Sequence, residues 1–370
     1  MHMPVTAMNG LQVPGRQAGL TLVELMVALT LGLFLALGLA VMMGDSSRTF
    51  KIQDDYARMQ ESAVASLRYI GDSLRHAGFY GQSAATLTLE QPVAIGAISP
   101  ACGNPLDTGV PLAGYPASTT ATAANLALPC IRTKNFRGPG PILVARLGTG
   151  LPVRDEDGDG DLAEHMAANT LYAQTDVNFG LLFKGSDFAA SIQPIAKRYP
   201  DNTLFPIFPY QMHVYYVRPC SRPASGDCEA TDDGGTPVPT LVRQELDGLT
   251  MVERPLAEGV ERINFAYGVD TGDDGIADRY VADPGDGSLG LAAADAWARV
   301  VAVRVTLLVR SPAPINGQDD SGKQYDLDGD GAPDFTCTAA LGAEPRACQY
   351  KRALFSQLIQ VRNVAFRRGG

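Results

Sequence analysis

Histidine and basic clusters are scarce in this chain of 370 residues, which has four histidines, one tryptophan and no run of lysine and arginine. The formal net charge is −10, which disfavours nucleic acid as a partner because such surfaces need clustered positive charge. Neither a Walker A loop nor an H-E-x-x-H zinc motif occurs. These absences leave no familiar catalytic signature and favour a protein that is not an enzyme.

One tetrapeptide, Gly71-Asp72-Ser73-Leu74, spells the motif of the GDSL hydrolases. A nucleophilic serine needs a turn that exposes it and a histidine base within reach. Here the tetrapeptide falls inside a predicted helix. Those hydrolases have their base near the C-terminal end, whereas no histidine follows His213. We therefore interpret the tetrapeptide as helix sequence and predict no catalytic residues.

Proline is also missing between Pro14 and Pro92, and this gap predicts one helix from Leu20 to about Ala77. At a rise of about 1.5 Å per residue the helix would be about 87 Å long. Residues 20–43 are apolar apart from Glu24 and are long enough to span a bilayer. Over residues 44–78 the helix becomes amphipathic, and Gly78 is its expected end. Its apolar stripe is Ile52, Tyr56, Met59, Ala63, Leu67, Ile70 and Leu74.

The segment that precedes this run has no acidic residue and ends at Gly19, followed by Leu20-Thr21-Leu22-Val23-Glu24-Leu25. A carboxylate inside an apolar span costs several kcal/mol and needs a reason. The pattern resembles the class III signal of type IV prepilins. That resemblance implies a leader of residues 1–19, cleavage after Gly19 by a prepilin peptidase, methylation of the Leu20 amine, and a Glu24 that meets the N-terminal amine of a subunit in the filament. Most members of the family begin with Phe instead of Leu.

The alternative interpretation of this segment is an ordinary signal peptide or anchor. Ordinary signals have an apolar region of about 7–15 residues and a cleavage site after it. The run here is longer and contains Glu24, so we favour the prepilin interpretation.

The six cysteines form three couples that are close in sequence. None has the C-x-x-C spacing of a zinc or redox site, and an even number in an exported chain favours disulfides. The simplest connectivity is predicted, with free buried cysteines as the alternative. The predicted bonds are Cys102 with Cys130, Cys220 with Cys228, and Cys337 with Cys348.

Residues 79–370 are predicted to form a β-rich head, with a loop-rich insertion at about 83–140. In the strongest strand, Val301, Val303 and Val305 face one way while Arg304 and Thr306 face the other. Strands that follow one long helix predict an α+β fold, in which the helix covers one face of an antiparallel sheet. The predicted strands are Pro141–Leu147, Gln211–Arg218, Gly259–Val269, Ala298–Arg310 and Ala353–Phe366.

Four short segments within this order resemble the PilW group of minor pilins. They are Leu-Arg-His-Ala-Gly-Phe at 74–79, Glu-Gly-Val-Glu at 258–261, Tyr-Gly-Val-Asp at 267–270 and Trp-Ala-Arg-Val-Val-Ala-Val-Arg-Val at 297–305. PilW-type proteins look like the J-type minor pseudopilins of type II secretion, which build a complex at the filament tip. The resemblance implies a pilin-like fold and a role in starting and capping pilus assembly, with links to twitching motility and cell adhesion.

The resemblance also implies partners and a location. The partners would be other minor pilins, the major pilin, the prepilin peptidase, the inner-membrane assembly platform and membrane lipid. The protein would cross the inner membrane once, with its head in the periplasm, and would later enter the extracellular pilus. The alternatives are a minor pseudopilin of a type II secretion system and, from other classes, a membrane-anchored periplasmic hydrolase or a calcium-dependent adhesin.

Three acidic loops suggest calcium as a cofactor. Calcium prefers six to eight oxygen ligands, which alternate aspartates around a glycine corner supply. The position-12 glutamate of an EF-hand is missing in each loop, and solvated acidic turns are the alternative. A third, degraded version occupies 270–278. The candidate ligands are Asp155, Asp157, Asp159 and Asp161 in the first loop, and Asp326, Asp328, Asp330 and Asp334 in the second.

Overall fold

The computed structural model describes residue 19 and residues 21–81, 88–117, 128–176, 178–338 and 346–368. The expected leader up to residue 18 and the expected first mature residue, Leu20, lie outside the described residues. The chain divides into two compact units, Met1–Asp54 and Asp55–Gly370.

Helix α1 covers Leu22–His76, close to the predicted bounds. Within the described part of the chain it is the one helix that is long and apolar enough to cross a membrane, with a mean hydropathy of 2.5 over an 18-residue window. Two residues beyond its end, the backbone adopts a left-handed conformation at Gly78 (φ 72°), and the Gly78 N–H donates to the carbonyl of Arg146. Gly78 therefore ends the helical segment, as the sequence predicts.

The second unit contains two antiparallel sheets and a two-stranded ribbon. The first sheet has seven strands, in which β5 pairs with β2, β3 and β6, while β1, β4 and β7 lie further out. The second sheet has the order β13-β10-β8-β9, and β11 pairs with β12. The strands are β1 (Leu112–Tyr115), β2 (Ile142–Gly148), β3 (Leu171–Thr175), β4 (Gly180–Lys184), β5 (Ile207–Arg218), β6 (Thr240–Asp247), β7 (Thr250–Glu258), β8 (Val260–Val269), β9 (Arg279–Val281), β10 (Val300–Arg310), β11 (Gln324–Tyr325), β12 (Phe335–Thr336) and β13 (Arg352–Gln360).

Three short helices complete the second unit. They are α2 (Asp232–Gly235), α3 (Ala293–Ala298) and α4 (Arg362–Arg368).

The apolar stripe of α1 packs into the main core of the second unit. Met59, Ala63, Ile70 and Leu74 are buried, Leu67 is half-buried against the same cluster, and Tyr56 stays largely exposed. The cluster also contains residues of both sheets, including β2, β5, β8, β10 and β13. One helix face therefore supplies the apolar surface on which both sheets close.

The insertion at about 83–140 forms a layer over the other face of the first sheet. Its described residues bury Leu89, Ile95, Leu128 and Phe136 in a second core with β2, β5 and β6. It also supplies β1, which pairs with β2. The described residues of this segment form few strands but are packed, because the sheet is apolar on both faces.

The predicted strand Ala353–Phe366 is wrong at its C-terminal end. Strand β13 stops at Gln360, and α4 begins at Arg362. Val361, Val364 and Ala365 are all buried in the main core. Their spacing of three and four is helical, and it places all three side chains on one face that covers the core.

Another difference from the sequence prediction lies in the number of strands. Eight strands of the described chain were not predicted, and the strands form two sheets and a two-stranded ribbon instead of one sheet. The unpredicted strands are β1, β3, β4, β6, β7, β9, β11 and β12. Strands β3 and β4 are buried at nearly every position. Short runs that are buried on both faces lack the alternation that identifies a strand in the sequence.

A buried ion cluster ties the second sheet to the acidic segment before β11. The Arg352 guanidinium contacts Glu261 at 2.5 Å and Asp320 at 3.0 Å, and all three side chains are at most 3% exposed. Tyr325 donates to the Asp320 carboxylate. Burial is the largest single influence on Glu261 and would raise its pKa. The hydrogen bond with Arg352 and the positive charges of Arg352, Arg137 and Arg310 together outweigh it, so the pKa is lowered.

We expect Arg352→Met to destabilise the protein by about 3–5 kcal/mol, because two buried carboxylates lose their cation. The matched control is Arg254→Met, since Arg254 is 51% exposed and its ion pair with Glu245 at 2.9 Å is partly solvated. That control should cost about 1 kcal/mol or less. Chemical denaturation followed by the fluorescence of Trp297, the single tryptophan, measures both. Equal effects of the two substitutions would contradict the prediction.

Candidate functional sites

Glu24 forms a capping box with Thr21 at the N-terminal end of α1. The backbone N–H and the hydroxyl of Thr21 each donate to Glu24 Oε2 at 2.9 Å, and the Glu24 N–H donates to Thr21 Oγ1 at 3.2 Å. This reciprocal pair satisfies backbone donors that have no partner inside the helix. This motif was not predicted, although Thr and Glu three residues apart before an apolar run are its known sequence signature.

The capping box gives Glu24 a local role that does not depend on a filament. This role is distinct from the predicted pairing of Glu24 with the N-terminal amine of another subunit. Glutamine serves in a capping box as glutamate does, but it carries no charge. The two functions are therefore separable by substitution.

Ser73 lies on the buried face of α1, and a histidine is within its reach. Its Oγ is 2.7 Å from His213 Nδ1 and 2.7 Å from the Tyr215 hydroxyl, and Tyr215 donates to the carbonyl of Tyr69. The expectation that Ser73 has no histidine within reach is therefore wrong, because β5 brings His213 into contact with it. An open cleft of about 560 Å³ borders this cluster.

The cluster is nevertheless poorly suited to nucleophilic catalysis. Ser73 lies inside α1 and is 3% exposed. Its hydroxyl is therefore not presented on an exposed loop, as a nucleophile would be. Burial, assisted by the positive charge of Arg243, lowers the pKa of His213 to about 3. A general base works best when its pKa is near the working pH. The contacts instead anchor α1 on the first sheet.

A glycine-rich stretch, Gly285-Asp286-Gly287-Ser288-Leu289-Gly290, has the G-x-G-x-x-G spacing. It begins in a 3₁₀ turn at Pro284–Asp286 and does not connect a strand to a helix N-terminus. The dinucleotide motif needs that strand-turn-helix context to direct backbone N–H groups at a pyrophosphate. The stretch is therefore a turn without that chemistry.

The three acidic loops share one hydrogen-bond frame. The first aspartate of each loop accepts backbone N–H groups from the residues three and five positions further on. Asp155 accepts from Gly158 and Gly160, and Asp326 accepts from Gly329 and Gly331. Asp270 does the same with Asp273 and Gly275. The residues at these two positions have positive φ in all three loops, which explains why five of the six are glycines, the exception being Asp273.

The structure brings some of the predicted ligands together but not others. Single oxygen atoms of Asp326, Asp328 and Asp334 all lie within 4.8 Å of one another. Asp330 and Asp161 instead accept the N–H groups of Ala332 and Ala163.

The first loop forms a different set of groups. Asp155 and Asp157 cluster with His165, and Asp157 and Asp159 cluster with Glu164. Glu164 and His165 were not predicted as ligands, because they follow the alternating aspartates of the loop.

The carboxylates of the second loop repel one another. Burial, together with the negative charges of Asp334, Asp330 and Asp326, raises the pKa of Asp328. The pKa of Asp326 is lowered, because its carboxylate accepts from Gly329 and Gly331. A divalent cation among these oxygens would relieve the repulsion.

The six cysteines are joined in three disulfides: Cys102–Cys130, Cys220–Cys228 and Cys337–Cys348. These are the three couples expected from the sequence. The bond from Cys337 to Cys348 closes the segment that follows the second acidic loop. The bond from Cys102 to Cys130 lies in the layer over the first sheet.

Two segments of the chain match known family models. Residues 215–363 match the PilW family, described as type IV pilus-assembly protein W. Residues 14–40 match the prokaryotic N-terminal methylation motif. The two matches support a PilW-type type IV pilin. The search of curated proteins and the search of solved structures each find no match.

These matches coincide with structural features already described. The methylation motif covers Gly19, Glu24 and the apolar part of α1. The PilW match runs from the end of β5 to the start of α4, so it includes the whole second sheet and the second acidic loop. Families of this type are structural pilins and not a known enzyme family, which agrees with the poor suitability of Ser73 for catalysis.

The depressed pKa of His213 makes the stability depend on pH. An unfolded histidine has a pKa of about 6.5, whereas the folded value is about 3. Between these values the unfolded state binds more protons. The free energy of unfolding should therefore fall as the pH is lowered below about 6.5, by up to about 1.4 kcal/mol per pH unit.

Denaturation of the full-length protein in detergent, compared with His213→Gln at pH values from about 7.5 to about 5, measures this contribution. The stability advantage of the unmodified protein should shrink toward low pH. Ser73→Ala is the matched control, because it removes a contact but keeps the imidazole and its pH dependence. An advantage that is constant across this range would contradict the prediction.

Proposed function

We propose that this protein is a minor pilin of PilW type that helps to start type IV pilus assembly and lies near the filament tip. The supporting observation is the combination, in one chain, of the methylation motif at residues 14–40 and a PilW-type head at 215–363. In this proposal residues 20–43 hold the protein in the inner membrane, the head lies in the periplasm, and assembly moves it into the pilus. The other minor pilins, the major pilin and the inner-membrane assembly platform are its partners.

The proposal predicts how the chain is processed. The mature protein should begin at Leu20 with a methylated amine, because the Gly19–Leu20 junction lies within the matched motif. Intact-mass measurement and analysis of the N-terminal peptide decide this. Gly19→Val is the control, since a larger side chain at the cleaved position should leave the precursor uncut. A mature start beyond Met43 would indicate an ordinary signal peptide.

In the proposed filament, the Glu24 carboxylate meets the positive N-terminal amine of a neighbouring subunit. Two opposite charges at an apolar site compensate each other, whereas either charge alone is costly. The capping box means that loss of Glu24 also weakens the start of α1. Replacing Ser, Thr, Asn or Asp at a cap costs about 1 kcal/mol, so Glu24→Ala alone would not identify the reason for an assembly defect.

Three variants of the capping box separate these effects. If the charge pair is required, Glu24→Gln and Glu24→Ala should both reduce incorporation into pili, while Thr21→Ala assembles normally. Quantifying the protein in sheared pili and in the membrane fraction measures incorporation against insertion. If Thr21→Ala fails and Glu24→Gln succeeds, the requirement is for the cap and the charge pair is refuted.

We also propose that the second acidic loop binds calcium through Asp326, Asp328 and Asp334. The supporting observation is that three carboxylates converge although they repel one another. Asp330 lies in the same loop, and the first loop is a second candidate, with Asp155, Asp157 and Asp159 joined by Glu164 and His165.

Calcium should raise the melting temperature of the full-length protein at millimolar concentration, because extracellular sites often bind at about 10⁻⁴–10⁻³ M. A hundredfold excess over Kd would contribute about 2.7 kcal/mol. Magnesium should do less, since it demands tighter octahedral geometry.

Asp328→Ala with Asp334→Ala should remove much of the calcium effect. Asp286→Ala should keep it, because Asp286 lies in a separate turn, where it accepts the Ser288 N–H. Identical melting with calcium and with a chelator, together with no heat of binding, would make the loop an acidic turn only.

A further inference from the structure

Strand β13 leaves one edge of the second sheet open. It pairs with β10 from Arg352 opposite Arg310 to Gln360 opposite Ala302. At its two ends the Lys351 carbonyl accepts from the Ser311 N–H and the Val361 N–H donates to the Val301 carbonyl, each at 2.8 Å. Backbone groups of successive residues alternate sides in an antiparallel pair. The backbone groups of residues 352, 354, 356, 358 and 360 therefore point away from β10, and in the described parts of the chain none has a backbone partner.

The other sheet edges are short, covered or protected. Strand β1 has four residues and β9 has three. The edge of β4 is covered by Glu90, which exchanges hydrogen bonds with Gly180 and Leu182. Strand β7 carries Pro255 and three charged residues. Such devices prevent strands of other chains from adding to an edge.

Strand β13 has none of these protections over most of its length. The eight residues from Ala353 to Gln360 include no charge and no proline. Two leucines on one face are solvent-exposed, Leu354 by 40% and Leu358 by 57%. A long, uncharged and partly apolar edge is a template for strand pairing.

The positions of the two leucines favour a second copy of this chain as the occupant. Leu354 and Leu358 are placed symmetrically about Ser356. In an antiparallel pair of two β13 strands centred on Ser356, each Leu354 faces Leu358 of the second copy. In this register residue 352 also lies opposite residue 360. All five residues whose backbone groups point away from β10 are then paired. Because the chain has a net charge of −10, two copies repel over much of their surface, and an uncharged edge is suited to their contact.

We propose that two copies pair through β13 in this register and join their second sheets into one continuous sheet. The contact consists of main-chain hydrogen bonds along the strand and two leucine pairs on one face. It is independent of the proposed role in the pilus, because the purified protein alone should form it.

Cysteine cross-linking tests the register in the full-length protein in detergent. All six native cysteines are in disulfides, so an introduced thiol is unique. Ser356→Cys places the two thiols opposite each other, and a short bis-maleimide should give a covalent dimer. Gln360→Cys is the control on the same strand, because its two copies lie about 27 Å apart, eight residues at about 3.4 Å each. A mixture of Leu354→Cys and Leu358→Cys proteins should cross-link, whereas neither should alone.

A second experiment measures the dimer without any introduced thiol. Leu358→Lys should shift the protein to monomer in sedimentation, because the ammonium would have to be desolvated against Leu354 of the second copy. Leu151→Lys is the matched control, since Leu151 is 74% exposed and lies in the loop after β2. This substitution should leave the dimer unchanged.

Three results would overturn the proposal. The first is an unmodified protein that is monomeric, which would leave the edge to a strand of another protein. The second is a dimer that Leu358→Lys does not weaken. The third is equal cross-linking of Ser356→Cys and Gln360→Cys, which would indicate association elsewhere, such as through the apolar part of α1.

Discussion

The fold of the head depends on the burial of one helix face. An amphipathic helix in water must cover its apolar stripe, and the stripe from Met59 to Leu74 has residues of both sheets as its neighbours. Neither sheet alone forms this core. The second sheet contributes the alternating valines of β10, and the first contributes β2 and β5. The contacts of Ser73 with His213 and Tyr215 add a polar connection at the same interface.

Charge is distributed in the head according to the cost of its burial. Where charges are buried, as for Arg352, Glu261 and Asp320, each has an opposite partner and several hydrogen bonds, because an unpaired buried charge would be far more costly. In the first and second acidic loops, where charges of one sign gather, the carboxylates lie near the surface and are held by backbone N–H groups. Asp270 of the third loop is buried, and three backbone N–H groups donate to it. The second acidic loop lies between Asp320 and Cys337, two positions fixed by a buried ion pair and a disulfide. Its carboxylates are therefore held close together despite their repulsion.

The sequence predicts those parts of the fold in which the pattern has a clear period. The gap without proline and the apolar stripe predicted the long helix, and Gly78 predicted its end. The alternation of apolar and polar residues predicted β10. Strands β3 and β4 could not be predicted, because a strand buried on both faces has no alternation. The contact between Ser73 and His213 was also beyond the sequence, since it joins residues 140 positions apart. In contrast, the capping box of Thr21 and Glu24 and the helical spacing of Val361, Val364 and Ala365 are local patterns that were present in the sequence.

Two physical constraints meet at Glu24, the cost of a carboxylate in an apolar span and the need of the first helical turn for acceptors. A carboxylate in an apolar span is costly if it is unpaired, yet the first turn of a helix has backbone donors that need acceptors. At the third position of α1 the Glu24 carboxylate accepts the backbone N–H and the hydroxyl of Thr21, so the monomer already lowers the cost of the charge. The favourable dipole at a helix N-terminus acts in the same direction. The capped charge is then available to a positively charged amine, and any transfer to that partner has to compete with the cap. If Glu24 pairs with the amine as proposed, its contribution to assembly is therefore the difference between these two interactions and not the full strength of an ion pair.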